Sequence, residues 1–416
     1  MIKSKKALLV GAVVGAMLCS VAALGACAPQ ANTNGTPESQ LMPEQDRFGV
    51  VDAEEWSGLY PDQYATYRTN DENSPEGKHD YLQLYPELNT MYKGYAFSLD
   101  YDEAASHTYT LESVSNTLRT IEKEQLANCI TCKTPQFTAL VASEGDEVYA
   151  RTFNEMIGEF DEPISCYNCH ENDPEGEVRV TGQYFATALG DDASRVPVQA
   201  QVCGQCHNEY YFNPDTKVTT NPYAGLAAMT PAAILAYYDE RGYSDWTHPD
   251  TGAGLIKAQH PEFETMYGGK QPHMAELGYS CADCHMGTQT AEDGTEYTSH
   301  EWKSPLENQV LIDTTCSTCH EDLAGEITAI QAASEERVNA IAAKIETYIN
   351  ELAAARNAGT LAGDELAHAQ QLHREAQFYW DFVMVENSEG AHNPDLANET
   401  LDRAEAAVDE GLSLLG

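Results

Sequence analysis

Five times along this chain two cysteines stand three positions apart: Cys129/Cys132, Cys166/Cys169, Cys203/Cys206, Cys281/Cys284 and Cys316/Cys319. With Cys19 and Cys27 set aside near the N-terminus, every other one of the 12 cysteines belongs to such a pair. Histidine follows four of the pairs at once, as His170, His207, His285 and His320, although only 13 of the 416 residues are histidine. Cys-x-x-Cys-His is the attachment signature of c-type haem. Two thiols at this spacing form thioethers to the porphyrin vinyls, and the next residue then sits under the iron as proximal ligand. Zinc knuckles and disulfides also use paired cysteines. Zinc needs two pairs per metal, however, and these pairs lie some 35 to 75 residues apart with the histidine repeated. Covalent haem is the reading that accounts for both the spacing and the histidine.

The N-terminus agrees with attachment outside the cytoplasm. Lys3, Lys5 and Lys6 precede an almost uncharged apolar run from Ala7 to Ala26, long enough to span a bilayer if retained as an anchor. Leu24-Gly25-Ala26-Cys27 instead resembles a bacterial lipobox. It predicts a lipoprotein signal peptide over residues 1–26 and a lipidated Cys27 that ties the exported chain to a membrane, at the cell surface or in the periplasm. Residues 27–45, polar and rich in Pro, Gly and Thr, read as a tether. No later apolar run approaches a membrane span. The 66 acidic against 23 basic residues give a formal charge of −43, which excludes a nucleic-acid partner, because phosphate backbones are met by clustered Lys and Arg. Acidity of this kind serves solubility. An anionic substrate would need a local positive site set against the overall field.

The first pair departs from the rest. Cys129-Ile130-Thr131-Cys132 is followed by Lys133. Such a pair either binds no haem, takes its iron ligand from elsewhere, or uses the neutral amine of Lys133, whose lone pair can coordinate. An amine lacks the π system of imidazole and so changes the iron through its axial ligand.

One Cys-x-x-Cys-Lys followed by four Cys-x-x-Cys-His resembles the haem pattern of the ammonia-forming pentahaem cytochrome c nitrite reductases. Longer segments carry the same resemblance. Cys203-Gly204-Gln205-Cys206-His207-Asn208-Glu209-Tyr210-Tyr211-Phe212 is similar to the family's third-haem segment, with Asn208 where Val is more usual. Ser244-Asp245-Trp246 and Lys257-Ala258-Gln259-His260-Pro261-Glu262 resemble its active-site segment. Gly94-Tyr95-Ala96-Phe97-Ser98, Asp100-Tyr101 and Asn116-Thr117-Leu118-Arg119-Thr120 match the region before the first haem. The resemblance implies five haem c groups and one Ca²⁺. It makes Lys133 the proximal ligand of the catalytic haem, with Arg119, Tyr210 and His260 lining the open distal face. Glu209, the Tyr210 and Lys257 carbonyls and the Gln259 side chain would hold the calcium, as hard oxygen ligands suit it. It also selects His107, His273, His300 and His392 as distal ligands of the four histidine haems. His79 and His248 sit in turn-like contexts, and His368 and His373 fall on a charged helix where solvation is expected.

The fold class expected is mainly α: short helices and long loops around five haems over residues 46–320, then long helices over 321–416. Ile327, Ile330, Ser334, Val338, Ile341, Ile345, Tyr348 and Leu352 recur at three- and four-residue steps, which predicts a long amphipathic helix ended by Gly359. A second helix is expected from about Asp364 to Glu386 and a third from near Pro394. Read plainly, these cap the haem core; in the resembled family they form a homodimer interface. The activity implied by the resemblance is six-electron reduction of nitrite to ammonium, with a membrane-anchored multihaem quinol-oxidising donor. Two rivals remain at this level: a non-catalytic electron conduit, which would have every iron six-coordinate, and the same open site acting on hydroxylamine, nitric oxide or sulfite.

Overall fold

The computed structural model describes residues 42–416, so the expected signal peptide, the expected lipidation site at Cys27 and most of the expected tether lie outside the described residues. Through the haem-motif region the chain runs as short helices joined by loops. Most of the α-helices named below start where a polar residue or a proline suits the first, unpaired amides. Helix α1 (Pro135–Glu144) is capped by the Thr134 side chain, which accepts from the Gln136 amide, and ends at Gly145 with φ 95°. Helix α2 (Val198–Gly204) leads into the third cysteine motif. Its Gly204 is required by packing: a Cβ there would stand 2.3 Å from the Phe263 ring and 2.8 Å from Phe185. Helix α3 (Pro231–Glu240) is capped by Thr230, and α4 (Glu262–Tyr267) follows the Lys257–His260 segment. Three two-stranded antiparallel hairpins interrupt the helices. They are β1 (Tyr211–Phe212) with β2 (Thr219–Thr220), β3 (Trp246–Thr247) with β4 (Gly254–Leu255), and β5 (Thr288–Thr290) with β6 (Glu296–Thr298).

After His320 the chain becomes three long helices: α5 (Leu323–Ala358), α6 (Gly363–Met384) and α7 (Pro394–Leu415). Helix α5 stops at Gly359 in the left-handed region (φ 69°), as its sequence predicts, because glycine meets no Cβ penalty there. Its buried face is Ser334, Val338, Ile341, Ile345, Tyr348 and Leu352, again as predicted, whereas Ile327 and Ile330 stay partly exposed. Helices α5 and α7 approach closely at Gly411, where a Cβ would fall 2.3 Å from the Tyr348 ring.

The change at His320 is one of secondary structure, not a break in packing. Residues Glu44–Gly416 form one compact unit. Its main apolar cluster runs without interruption from Leu88, Met91 and Tyr92 through Tyr238 and Phe263 to Ile345, Trp380 and Leu401. A smaller cluster (Ile130, Phe137, Leu140, Phe153 and Phe160 among its members) supports the first cysteine motif. Among the described residues no helix is long and apolar enough to cross a membrane.

Candidate active site

The ten motif cysteines are all free of disulfides, and among the described residues no three His, Cys, Asp or Glu side chains converge on a metal position. The histidine motifs close on themselves as α-turns: the amides of His170, His207 and His320 donate to the carbonyls of Cys166, Cys203 and Cys316 at 2.9–3.0 Å. Motifs far apart in sequence meet through their sulfurs. Cys132 lies against Cys206, and Cys203 against Cys281, while Cys284 and Cys316 fall within electrostatic reach of one another. The first, third, fourth and fifth motifs therefore form a row. The second joins the third, where Gln205 donates to the Asn168 carbonyl at 2.8 Å.

Three of the four histidine motifs face a second imidazole. Ring centroids are 6.3 Å apart for His170 and His300, 6.0 Å for His207 and His107, and 5.9 Å for His285 and His392. Two imidazoles held at about 2 Å on opposite sides of one metal would have centroids roughly 6 Å apart. Each pair therefore has the spacing of two imidazoles on one iron, a spacing that His207 also keeps to His260, at 6.2 Å. In three of these rings the nitrogen not needed for iron is engaged elsewhere, whereas His170 Nδ1 is buried without a partner. His285 Nδ1 meets the Lys303 carbonyl (2.9 Å), His300 Nδ1 the Thr298 carbonyl (3.0 Å), and His392 Nδ1 the Glu386 carboxylate (2.6 Å). Such partners fix the tautomer and leave Nε2 free to coordinate. Burial holds His170 down to about 4 and His107 to about 3, so both present neutral rings. For His392 burial acts the same way, but the Glu386 charge overrides it and carries the group up to about 9.

The fifth motif differs. His320 Nδ1 pairs with Glu326 at 2.7 Å and His273 Nδ1 lies 3.9 Å from Glu276, both near the surface, and the two rings are not brought together. Its second cysteine departs from the expectation of a haem wrapped by chain. Cys319 is exposed, whereas the other nine motif cysteines, Cys316 included, are partly buried. The cause is local: Cys319 sits at the end of a polar turn whose Ser317 and Thr318 are also exposed, and its sulfur meets only the Thr318 hydroxyl, at 3.8 Å.

Of the histidines set aside on sequence, His368 is exposed and pairs with Glu410, as expected. His373 is not solvated. It is fully buried, with Nδ1 3.2 Å from Thr251 Oγ1 and Nε2 3.2 Å from Gln377 Oε1, and burial pulls it down to about 3. The charged helix face carries it inward because the 246–254 turn supplies polar partners. His248 lies in that turn, also fully buried, with Nε2 2.9 Å from the Thr90 carbonyl.

Around the lysine motif the arrangement changes. Residues Ala127–Ile130 form a tight 3-10 turn, and the Lys133 amide donates to the Ile130 carbonyl (2.9 Å) rather than four residues back. Arg119 and Lys133 both act electrostatically on Cys129, Lys133 acts on His260, and Cys132 and Cys129 act on Tyr210. Arg119, Tyr210 and His260 are thus gathered around one segment, each half-buried. Arg119 Nη1 donates to the Asp100 carbonyl (2.7 Å) and to Asp100 Oδ1 (3.0 Å), and its guanidinium lies 4.1 Å over the Phe97 ring. Those contacts aim it. Burial lowers His260 to about 4 against the pull of Glu262, and its Nδ1 is buried without a partner.

Beside this pocket lies an oxygen-rich cradle. Glu209 is fully buried; Oε2 accepts from the Gln259 amide (2.6 Å) and Oε1 from the Tyr238 hydroxyl (2.9 Å). Gln259 Nε2 meets the Lys257 carbonyl at 2.9 Å, so that side chain and that carbonyl face each other. Burial, with Glu264 and Asp245 adding repulsion, holds the Glu209 carboxyl well above its ordinary range. A buried carboxylate with no cationic partner is costly, and a bound cation would relieve it. Sequence reasoning did not single out the groups that brace this cradle. Glu264 accepts from the Glu209 amide (2.8 Å) and the Tyr223 hydroxyl, and burial pushes it up to about 8. Asp245 Oδ2 accepts from the Lys257 amide (2.9 Å). No local motif marks Glu264, whose partners lie on other segments, whereas Asp245 falls within the Ser244-Asp245-Trp246 stretch read from the sequence.

Residues 52–415 match the sequence profile of the Cytochrome c552 family. Curated relatives include the cytochrome c nitrite reductase subunit NrfA of Nitratidesulfovibrio vulgaris (strain Hildenborough), 32% identical, with 95% of this chain and 85% of the relative covered. Cytochrome c-552 of Parabacteroides distasonis is 33% identical, covering 80% of this chain and 70% of the relative. Among solved structures, the NrfA catalytic subunit of cytochrome c nitrite reductase from Desulfovibrio desulfuricans ATCC 27774, which has two calcium sites, is similar with a TM-score of 0.77. It is 27% identical, and 88% of this chain and 86% of that one are covered.

Proposed function

The chain belongs to the cytochrome c552 family, and we propose that it is a cytochrome c nitrite reductase that converts nitrite to ammonium with six electrons at a haem carried by Cys129, Cys132 and Lys133. The observation that supports this most is the convergence of Arg119, Tyr210 and His260 on the one motif that lacks histidine. A haem bound there would supply electrons one at a time and an iron able to bind nitrite.

The chain's own residues would do the rest. Lys133 gives the lone pair of its amine as the proximal ligand. Arg119, anchored through Nη1 alone among the described residues, keeps its other nitrogens for the anion. It also supplies local positive charge within a strongly acidic protein. Burial favours the neutral ring of His260, so its protonated form would be a strong acid, suited to hand a proton to an oxygen leaving the substrate. Tyr210 adds a hydroxyl for proton or radical steps. Glu209, the Tyr210 and Lys257 carbonyls and the Gln259 side chain would bind Ca²⁺, matching its preference for oxygen ligands. The four histidine motifs would serve as wires: His170 with His300, His207 with His107, His285 with His392 and, by elimination, His320 with His273.

The reading extends to the cell: an extracytoplasmic lipoprotein held by Cys27, dimeric through its C-terminal helices, and fed by a membrane-anchored multihaem quinol oxidase. Purified protein given nitrite and an artificial reductant should form one ammonium per six electrons consumed. Failure to form ammonium, with hydroxylamine or sulfite turned over instead, would overturn the assignment.

A further inference from the structure

Helix α6 turns one polar face toward the segment that leads into the active site. Gln370 Nε2 donates to the Thr251 carbonyl (2.8 Å), and His373 meets Thr251 Oγ1. Arg374 donates to the carbonyls of Gly254 (2.7 Å) and Tyr243 (2.8 Å). Gln377 donates to the Met91 carbonyl at 3.2 Å. Asp381 accepts from the Ala258 amide through Oδ2 (2.9 Å) and from the Tyr92 hydroxyl through Oδ1. These positions recur every three or four residues, so they share one side of the helix. His373, Gln377 and Asp381 are fully buried and Arg374 is nearly so, which shields the bonds from water.

Asp381 is the rung closest to the chemistry. The amide it holds belongs to the same peptide plane as the Lys257 carbonyl. In a trans peptide N–H and C=O point in opposite directions. Fixing the Ala258 N–H therefore fixes the direction of the Lys257 carbonyl, which faces the Gln259 side chain. Asp245 holds the Lys257 amide on the preceding plane, so the short segment before His260 is gripped twice.

We propose that Asp381 is a positioning residue: reaching across from helix α6, it aims the Lys257 carbonyl into the calcium cradle and thereby sets the path of the chain to His260. The inference rests on the calcium and active-site assignment proposed above. It also gives the C-terminal helices a part in the active site beyond covering the haem core.

The test measures Ca²⁺ affinity of chelator-treated, five-haem protein, with nitrite turnover alongside. Partners that orient metal ligands typically change affinity by about 10- to 100-fold when removed. Asp381→Ala should weaken calcium by that order and lower kcat, with kcat recovering in excess Ca²⁺, which general loosening of the fold would not allow. Asp381→Asn keeps an acceptor for the Ala258 amide but a weaker, uncharged one, so its loss should be smaller and in the same direction. Tyr92→Phe leaves the Ala258 bond intact and should bind calcium like the parent. If Asp381→Ala fails to take up five haems, the order of the Asn and Phe variants decides. Weaker calcium binding in Asp381→Asn than in Tyr92→Phe supports the inference, and equal affinities overturn it. Calcium affinity is read without nitrite, so a parent that reduces no nitrite overturns the proposed activity alone. A parent that reduces nitrite but binds no calcium overturns this inference together with the calcium assignment, and leaves the activity standing.

Discussion

The lysine motif and the histidine motifs are built to the same covalent plan and end in different surroundings. His170, His207 and His285 each look across roughly one iron's width at another imidazole, His300, His107 and His392. The Lys133 segment closes on a tighter turn and lies within electrostatic reach of a guanidinium, a phenol and an imidazole instead. An iron held on both faces by histidine can pass electrons but has no room for substrate. An iron open on one face, beside Arg119, Tyr210 and His260, can bind an anion and protonate it. On the proposed reading the difference is a division of labour, with one motif arranged for chemistry and the others for supply.

The comparison breaks most readily at His260. Removing a positioned acid-base group costs about 10²- to 10⁴-fold in rate. His260→Ala should therefore lose nitrite turnover on that scale while five haems per chain remain by pyridine haemochrome. Unchanged turnover would place the chemistry at another motif. Next comes Lys133→His, which makes the first motif like the others on its proximal side only. The haem should stay attached and keep one open face, yet turnover should fall by on the order of 100-fold, as reacting groups shift by about 1 Å. Parent-like activity would mean the lysine is a tolerated oddity. A more moderate effect is expected from calcium. Prolonged chelation should reduce activity, recovered by Ca²⁺ but not by Mg²⁺, which demands tighter octahedral geometry. Glu209→Ala should abolish the recovery, and a variant that keeps both metal and turnover would remove calcium from the account.

The smallest effect sharpens what separates a ligand from a merely buried histidine. His373 shares the burial of the ligands but faces Thr251 and Gln377. Its folded-state pKa is lowered from 6.5 to about 3, so the unfolded chain binds the extra proton first as pH falls. The stability it contributes is present above about 6.5 and lost between there and about 3. His373→Gln should flatten that acid limb in urea unfolding while haem content and spin states stay as in the parent. A loss of haem would make it a ligand after all.

Much of this was legible in the sequence because the signals are local. Thioether attachment needs two cysteines at one spacing, and α5 to α7 bury faces that recur every three or four residues, with α5 ending at Gly359. What sequence could not settle depends on the fold bringing distant segments together. His107 meets His207, and His285 meets His392, across about a hundred residues, and no pattern along the chain pairs them. The five motifs also read alike in burial, yet Cys319 is exposed, because nothing within the motif says whether another segment packs over it. His373 looked solvated because its own helix is charged; its burial comes from Thr251, which lies on another segment. Glu264 and Asp381 were invisible for the same reason, since an isolated acid on a helix ordinarily faces water.

The central claim is that one of five irons is open and the others are closed. Electron paramagnetic resonance of the fully oxidised protein, titrated with nitrite and calibrated against haem content, tests it directly. The account predicts five haems per chain, four of them low-spin throughout, and one high-spin signal that nitrite alone converts at one equivalent, with the conversion weakened in His260→Ala. Four haems per chain, or five low-spin haems indifferent to nitrite, would contradict it.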